Sequence, residues 1–208
     1  MIGDLALAWE TSEPDRTRDL LAALRFRVGH AGRMTCPGLT IVVVRAAGPD
    51  RLRIGPGDGR GAEPEDEPSG PLLLAVGVAT VDLDRAAVVS GGPVRVLSGD
   101  DLLGARAAAA GGHRTLLLEP ITEGRAAATL ARHGEGPAAL YLEVDLAALA
   151  AIRGRLLALG ERPRAGNGPF GPQLLASTRH AWGPHLLLVA RDPAAAGPAG
   201  DAWATIEP

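Results

Sequence analysis

Several residue types are scarce in this sequence, and each scarcity narrows what the chain can be. All 21 basic residues are arginine, because lysine does not occur anywhere in the 208 residues. Cys36 is the only cysteine, so no intrachain disulfide can form and a reducing, cytoplasmic compartment is expected. Aromatic residues make up only 3% of the chain, which leaves few rings to stack against a ligand.

Long apolar runs and a strong net charge are also missing. The longest apolar stretches, such as Leu39 to Val44, have the length of a strand and are too short to span a bilayer. The formal net charge is −3, so there is no basic footprint for a nucleic acid or an acidic membrane. We therefore expect neither a nucleic acid nor a membrane as a partner.

The first 54 residues predict a small unit of mixed secondary structure. Leu5 to Trp9 has the length and composition of a strand, and Ser12 followed by Pro14 predicts the start of a helix. The β-branched run from Leu39 to Val44 is the clearest strand in the chain. Residues 1–54 are therefore predicted to form a partial module of βαβ type.

Residues 55–71 have the composition of a flexible acidic linker, rich in glycine and proline. Gly57, Gly59 and Ala62 match the spacing of a dinucleotide-binding fingerprint. Pro64 and Pro68 prevent the helix that such a site requires, and the acidic run would repel a pyrophosphate. The sequence therefore predicts no cofactor.

The order of strand, helix and further strands is repeated in the rest of the chain. Leu72 to Val81 is a predicted strand, and Leu102 to Ala110 is expected to form a hairpin with Arg114 to Leu118. After a helix from Thr122 to His133, the order begins again with a strand at Leu140. This order predicts two modules and a tail: residues 72–136, 137–190 and 191–208.

Particular segments give this repeat a family resemblance. They are Val78-Ala79-Thr80-Val81-Asp82-Leu83-Asp84-Arg85-Ala86, Leu116-Leu117-Leu118-Glu119-Pro120, Leu130-Ala131-Arg132-His133-Gly134-Glu135-Gly136 and Gly183-Pro184-His185-Leu186-Leu187-Leu188-Val189. Together they resemble the vicinal-oxygen-chelate superfamily, which includes glyoxalase, bleomycin-resistance proteins and methylmalonyl-CoA epimerase. The resemblance implies an α+β fold in which paired βαβββ modules form a curled mixed sheet, or cup. The N-terminal unit is then an extra partial module.

The resemblance also implies where a metal would bind. In this superfamily a divalent metal usually takes one ligand from each of four strands, and the corresponding positions here are Ala75, Leu116, Ala139 and Leu187. None of these side chains has an oxygen, nitrogen or thiolate donor. Shifting the alignment by one residue would turn the other face of each strand inward and would not restore four ligands. The sequence therefore predicts a cup without a metal.

Strand alternation indicates which other side chains face the cup, since residues two apart on a strand share a face. The loop from Asn167 to Pro172 and the last hairpin add two aromatic candidates near the rim. The predicted ligand-binding residues are Arg114, Tyr141, Glu143, Phe170, Gln173, Trp182 and His185. Ordinary structural roles stay open for them: Tyr141 is also typical of a core residue, and Arg114 and Glu143 of an ion pair.

The hypothesis that fits these observations best is a metal-independent small-molecule-binding protein of the glyoxalase and bleomycin-resistance type. It would sequester or sense an apolar or weakly acidic metabolite. One alternative is an enzyme, such as an isomerase, lyase or dioxygenase, with an atypical site. Another is a non-catalytic interaction module whose cup is filled by its own side chains. In that alternative the N-terminal unit serves dimerisation, which makes a homodimer one option.

Overall fold

The computed structural model describes residues 5–29, 33–54, 70–91, 93–111, 114–177 and 179–191. Most of the predicted linker and of the C-terminal tail lies outside these ranges. No helix within the described ranges is long and apolar enough to cross a membrane.

The N-terminal unit is a five-stranded sheet with one helix. Its elements are β1 (Leu5–Thr11), α1 (Pro14–Ala23), β2 (Arg27–Val28), β3 (Arg33–Cys36), β4 (Leu39–Arg45) and β5 (Arg51–Ile54). β1 and β4 are parallel, with Leu7 opposite Ile41, and the strand order is β2-β3-β4-β1-β5. Where the sequence indicated a partial βαβ module, the chain has the complete βαβββ order plus one strand. The strands β3 and β5 have four residues each, which is too short for the sequence to show a periodic pattern there.

The remainder of the chain forms an eight-stranded sheet from two further βαβββ units. The second unit contains β6 (Leu72–Ala79), α2 (Leu83–Ser90), β7 (Val94–Asp100), β8 (Ala105–Ala110) and β9 (Thr115–Pro120). The third contains β10 (Gly136–Asp145), α4 (Leu146–Ala158), β11 (Arg164–Gly168), β12 (Gly171–Leu175) and β13 (His185–Arg191), and α3 (Arg125–His133) connects the two. The predicted hairpin between β8 and β9 is confirmed, whereas β7 was not predicted.

The two units meet at the centre of the sheet. The strand order is β11-β12-β13-β10-β6-β9-β8-β7, with β6 antiparallel to β10. Within each unit the first strand is parallel to the last, β6 with β9 and β10 with β13, as β1 is with β4. At the two ends of the sheet β7 and β11 approach each other, and the Asp101 amide donates a hydrogen bond to the Asn167 carbonyl at 3.1 Å. The sheet is therefore curled into a cup.

The ends of helices α1 and α2 are set by capping residues and by a proline in the first turn. The Asp82 carboxylate accepts a hydrogen bond from the Arg85 amide at 2.9 Å and so caps α2, which ends at Gly91 with a left-handed φ of 68°. In α1 the N-cap is Glu13 rather than the expected Ser12, and no side chain caps the helix. Pro14 occupies the first turn of α1, as predicted.

The two faces of the eight-stranded sheet belong to different cores. On the outer face, Leu140, Leu142 and Leu188 pack with α4 and with the interior of the N-terminal unit. On the inner face, a second cluster contains Tyr141 and Leu187 together with residues of β6, β8 and β9. Because neighbouring residues on β10 contribute to opposite cores, the strand alternation expected from the sequence holds there.

Candidate ligand-binding cup

The inner wall of the cup is apolar at the four positions that the sequence resemblance assigned to metal ligands. Ala75, Leu116, Ala139 and Leu187 lie on four adjacent strands, belong to one packed cluster and are fully buried, each at 0% exposure. Within the described residues, no three His, Cys, Asp or Glu side chains are grouped so as to hold a metal ion. The residues present in the cup therefore do not fit the metal that the fold implies.

A polar cluster lies inside this apolar wall and centres on Asp100, at the end of β7. The Tyr141 hydroxyl and the Gln173 amide nitrogen each donate a hydrogen bond to Asp100 Oδ2 at 2.8 Å. The backbone amides of Leu102 and Leu103 donate to Oδ1 at 3.0 and 2.9 Å. Asp100 is 1% exposed, so the hydrogen bonds of the protein replace those of water.

Burial determines the acid–base state of this cluster. It raises the pKa of the Asp100 carboxyl above its usual value, although the four hydrogen bonds act in the opposite direction. Burial, and then the neighbouring Asp100, raises the pKa of Tyr141 well above its usual value. Tyr141 therefore stays protonated and serves as a hydrogen-bond donor.

One polar atom of the cluster has no partner among the described residues. Gln173 is 4% exposed, and its Oε1 atom is buried without a hydrogen bond, while its Nε2 atom is bonded to Asp100. A buried acceptor without a donor costs about 1–3 kcal/mol. The cup therefore contains an unused acceptor next to a carboxyl group that burial makes easier to protonate.

The turn after β7 closes the cup. Leu102 and Leu103 belong to the inner core and are 8% and 1% exposed. Leu102 lies directly over Gly166 of β11, and Phe170 packs edge-on against Tyr141 with ring centroids 5.4 Å apart. We call residues 101–104 the stopper turn, because its leucines fill the space that the curled sheet encloses.

His185 lies deep in the protein. It is 1% exposed, and its Nε2 atom is 3.2 Å from Thr129 Oγ1 of α3. Burial, followed by the positive charge of Arg125, lowers the pKa of His185 to about 3. Neither His185 nor Tyr141 therefore exchanges protons near neutral pH, which is what a general acid or base must do.

The other predicted site residues lie apart from Asp100. Arg114 donates to the Leu73 carbonyl at 3.0 Å and faces Gly38 of the N-terminal unit. Glu143 pairs with Arg191 at 3.1 Å. Trp182 contacts the ring of His180 and lies under the Arg132 guanidinium, 5.3 Å from the ring centroid. Of the seven predicted residues, the structure brings Tyr141, Phe170 and Gln173 together.

Asp100 was missed in the sequence because β7 is irregular. The pairing of β7 with β8 shifts between Leu97 and Asp100, which breaks the alternation that identifies an inward-facing residue. A signal was nonetheless present in Asp100-Asp101-Leu102-Leu103-Gly104, since an aspartate that opens a turn commonly accepts hydrogen bonds from the next amides.

Two βαβββ units that pair through their first strands into one curled sheet define a known architecture. The fold is glyoxalase-like. This confirms the fold class predicted from the sequence. No family model matches the chain, and no curated protein shows a significant match.

Solved structures with a similar fold include two methylmalonyl-CoA epimerases and a variant of 4-hydroxymandelate synthase. Methylmalonyl-CoA epimerase from Mycobacterium tuberculosis is 27% identical, covers 59% of this chain and 89% of its own, and has a TM-score of 0.47. A Streptomyces coelicolor methylmalonyl-CoA epimerase in complex with 2-nitronate-propionyl-CoA is 21% identical over 58% of this chain and 94% of its own, with a TM-score of 0.46. A variant of 4-hydroxymandelate synthase from Streptomyces coelicolor is 15% identical over 95% and 72%, with a TM-score of 0.39. These are likenesses of fold alone.

Proposed function

We propose that this chain is a metal-independent small-molecule-binding protein that takes its ligand into the cup. The observation that carries the proposal is the unused acceptor Gln173 Oε1, buried in an apolar wall beside Asp100. Ligand sites commonly combine apolar walls with a few placed polar groups, and an unpaired buried acceptor favours a ligand that supplies a donor.

The cluster also indicates what the ligand carries. Burial disfavours the charged form of Asp100, and it would disfavour a charged ligand group at the same depth. A neutral hydroxyl group can donate to Gln173 Oε1 without bringing a charge into the cup. We therefore propose an apolar molecule with one weakly acidic hydroxyl group, bound in its protonated form.

The ligand would occupy the space that the stopper turn now fills. The Asp101–Asn167 hydrogen bond, the packing of Leu102 on Gly166 and the two amide bonds to Asp100 hold this turn over the cup, and the Ala126 and Ile121 amides donate hydrogen bonds to its Leu103 and Gly104 carbonyls. Binding then requires the turn to open, and the apparent affinity is the intrinsic affinity multiplied by the fraction of molecules in which the turn is open.

The test compares phenol with toluene, which has a similar shape and no donor, by calorimetry and thermal shift. A ligand that binds only the folded state raises the unfolding midpoint. We expect phenol to bind more tightly than toluene, and Gln173→Leu to remove that difference. Leu103→Ala, which enlarges the cup, should strengthen binding of both compounds, whereas Leu21→Ala in the N-terminal core serves as the control for a cavity elsewhere.

The second candidate is a non-catalytic interaction module, and the filled cup favours it. The four wall positions are fully buried, and Leu102 and Leu103 complete the packing. On this hypothesis the native chain binds neither compound, and only Leu103→Ala does, because the substitution itself creates the space. Binding to the native chain with a preference for phenol supports the first candidate, and its absence supports the second.

A further inference from the structure

A groove outside the cup separates the N-terminal unit from the third unit. Three cavities of about 40, 510 and 410 Å³ open between the start of α1 and the segments that follow α4 and β12, and Arg16 and Arg179 line all three. Arg162 lines the cavity beside Gly160, and Arg45 lines the one beside the first turn of α1. We call these four side chains the arginine groove.

Three of the four carboxylates in the groove already have partners, and one of them, Asp50, accepts a hydrogen bond from the Trp9 indole nitrogen at 3.4 Å. Glu161 has a side chain only 4% exposed, and its two oxygens accept hydrogen bonds from Arg16 and from the Ser177 hydroxyl, both at 2.5 Å. Asp15 pairs with Arg18 at 2.8 Å. These contacts fix the wall of the groove and leave Glu13 as the carboxylate that faces its arginines.

Glu13 is held weakly. Its side chain is 50% exposed and lies 3.1 Å from Arg179 and 4.0 Å from Arg16, whose side chains are 43% and 41% exposed. Ion pairs with this exposure contribute little, because water screens them and two long side chains must be ordered. A stronger anion can therefore displace Glu13 from Arg179 at small cost.

Arg45 has spare hydrogen-bonding capacity. Its one hydrogen bond within the described residues is a long one, 3.4 Å from Nη1 to the Ser12 carbonyl, and it has no carboxylate partner there. A guanidinium offers five N–H donors in a planar fork that matches the oxygens of carboxylate and phosphate groups. The start of α1, which no side chain caps, adds partial positive charge at the same place.

We infer that the arginine groove binds a small polyanion, with phosphate or carboxylate groups that bridge Arg45 and Arg179 and replace Glu13. The site is independent of the cup, since none of the residues that line it belongs to the Asp100 cluster. Arg16 takes part while it keeps Glu161 neutralised, and so it positions the wall as well as facing the ligand.

Titration calorimetry with pyrophosphate and with citrate tests the site, and the two probes separate phosphate from carboxylate chemistry. Arg45→Gln and Arg179→Gln should each weaken binding about tenfold, because each removes charge-assisted hydrogen bonds. Glu13→Gln should strengthen binding several-fold, because it removes the competing carboxylate. Binding should also weaken as sodium chloride is raised.

Arg106→Gln is the matched control, since Arg106 is an arginine of similar exposure that pairs with Glu119 on β9, away from the groove. It should leave the affinity for either probe unchanged. The inference is overturned if neither probe binds, if Arg106→Gln weakens binding as much as Arg179→Gln, or if Glu13→Gln has no effect. Because Arg45, Arg179 and Glu13 lie at the surface, their variants should unfold at the native midpoint, which the same samples report.

Discussion

Leu102 and Gly166 are fitted so closely that a β-carbon on Gly166 would lie 2.7 Å from both Cγ and Cδ2 of Leu102. The stopper turn therefore packs directly on Gly166, and a side chain at this position would push Leu102 out of the cup. The same contact closes the gap between β7 and β11 and gives a direct test of how the cup is sealed.

Gly166→Ala should destabilise the protein by about 1–3 kcal/mol, since it overpacks a fitted contact. Leu102→Ala in the same chain should recover part of that loss, so that the two substitutions are not additive. Gly154→Ala is the control, because a β-carbon on this α4 residue meets nothing within 4 Å and helix propensity then favours alanine by about 1 kcal/mol. Urea unfolding of the native chain, the two single variants, the double variant and the control measures these differences, and simple additivity would contradict the contact.

Asp100 should make the protein less stable as pH rises above about 4, where the unfolded carboxyl ionises. Its folded pKa is raised, so the folded state holds the proton over a range in which the unfolded state releases it. The free energy of unfolding therefore falls with pH from about 4 up to the folded pKa, and then levels.

Asp100→Asn should remove this slope and keep most of the stability. The asparagine oxygen can accept hydrogen bonds from the Leu102 and Leu103 amides. Its NH₂ group can donate to the Gln173 side-chain oxygen once the Gln173 amide group has rotated by 180°. Asp100→Ala leaves those donors unpaired and should cost about 3 kcal/mol or more. Urea unfolding at pH 4, 5, 6 and 7 gives the comparison, and an unchanged slope in Asp100→Asn would assign it to another group.

His185 should have the opposite effect in part of the same pH range. Its folded pKa is lowered to about 3, so below about pH 6.5 the unfolded state takes up a proton that the folded state refuses. Its contribution to stability is complete above that pH and is lost on acidification, by up to about 1.4 kcal/mol per pH unit. His185→Gln should show a weaker loss between pH 6.5 and 4, and the native imidazole should stay neutral by NMR at pH 5.

Chelation should leave the protein unchanged, because the four wall positions carry no donor atoms. Dialysis against EDTA is expected to leave the unfolding midpoint where it was, and zinc, nickel or manganese added afterwards is expected not to raise it. Elemental analysis of protein purified without chelator provides the second measurement. One equivalent of any of these metals would show that the alignment of the wall residues is wrong.

The sequence predicted the parts of the fold that depend on regular patterns. The repeated order of strand, helix and strands identified the second and third units, and alternation placed Tyr141 inside the cup. It failed where regular patterns end: the irregular pairing of β7 hid Asp100, and the four-residue strands β3 and β5 hid the complete N-terminal unit. His185 was expected to face the cup, and in the structure its imidazole is buried against Thr129 of α3.

The arginine groove could not be predicted from the sequence, for a different reason. Arg16, Arg45, Arg162 and Arg179 belong to four segments of the N-terminal and third units, and nothing in the local sequence of any one of them marks it as part of a site. Only the packing of the N-terminal unit on the outer face of the eight-stranded sheet brings them together.

The parallel pairing of first and last strands in all three units has a consequence for how the chain folds. In each unit the helix and both middle strands lie in sequence between the first strand and its parallel partner. Contacts between residues that are close in sequence therefore cannot complete any of the three units. Such long-range pairing slows folding. On the ribosome β10 can pair with β6 as soon as it emerges, while β13, the last described strand, completes the cup.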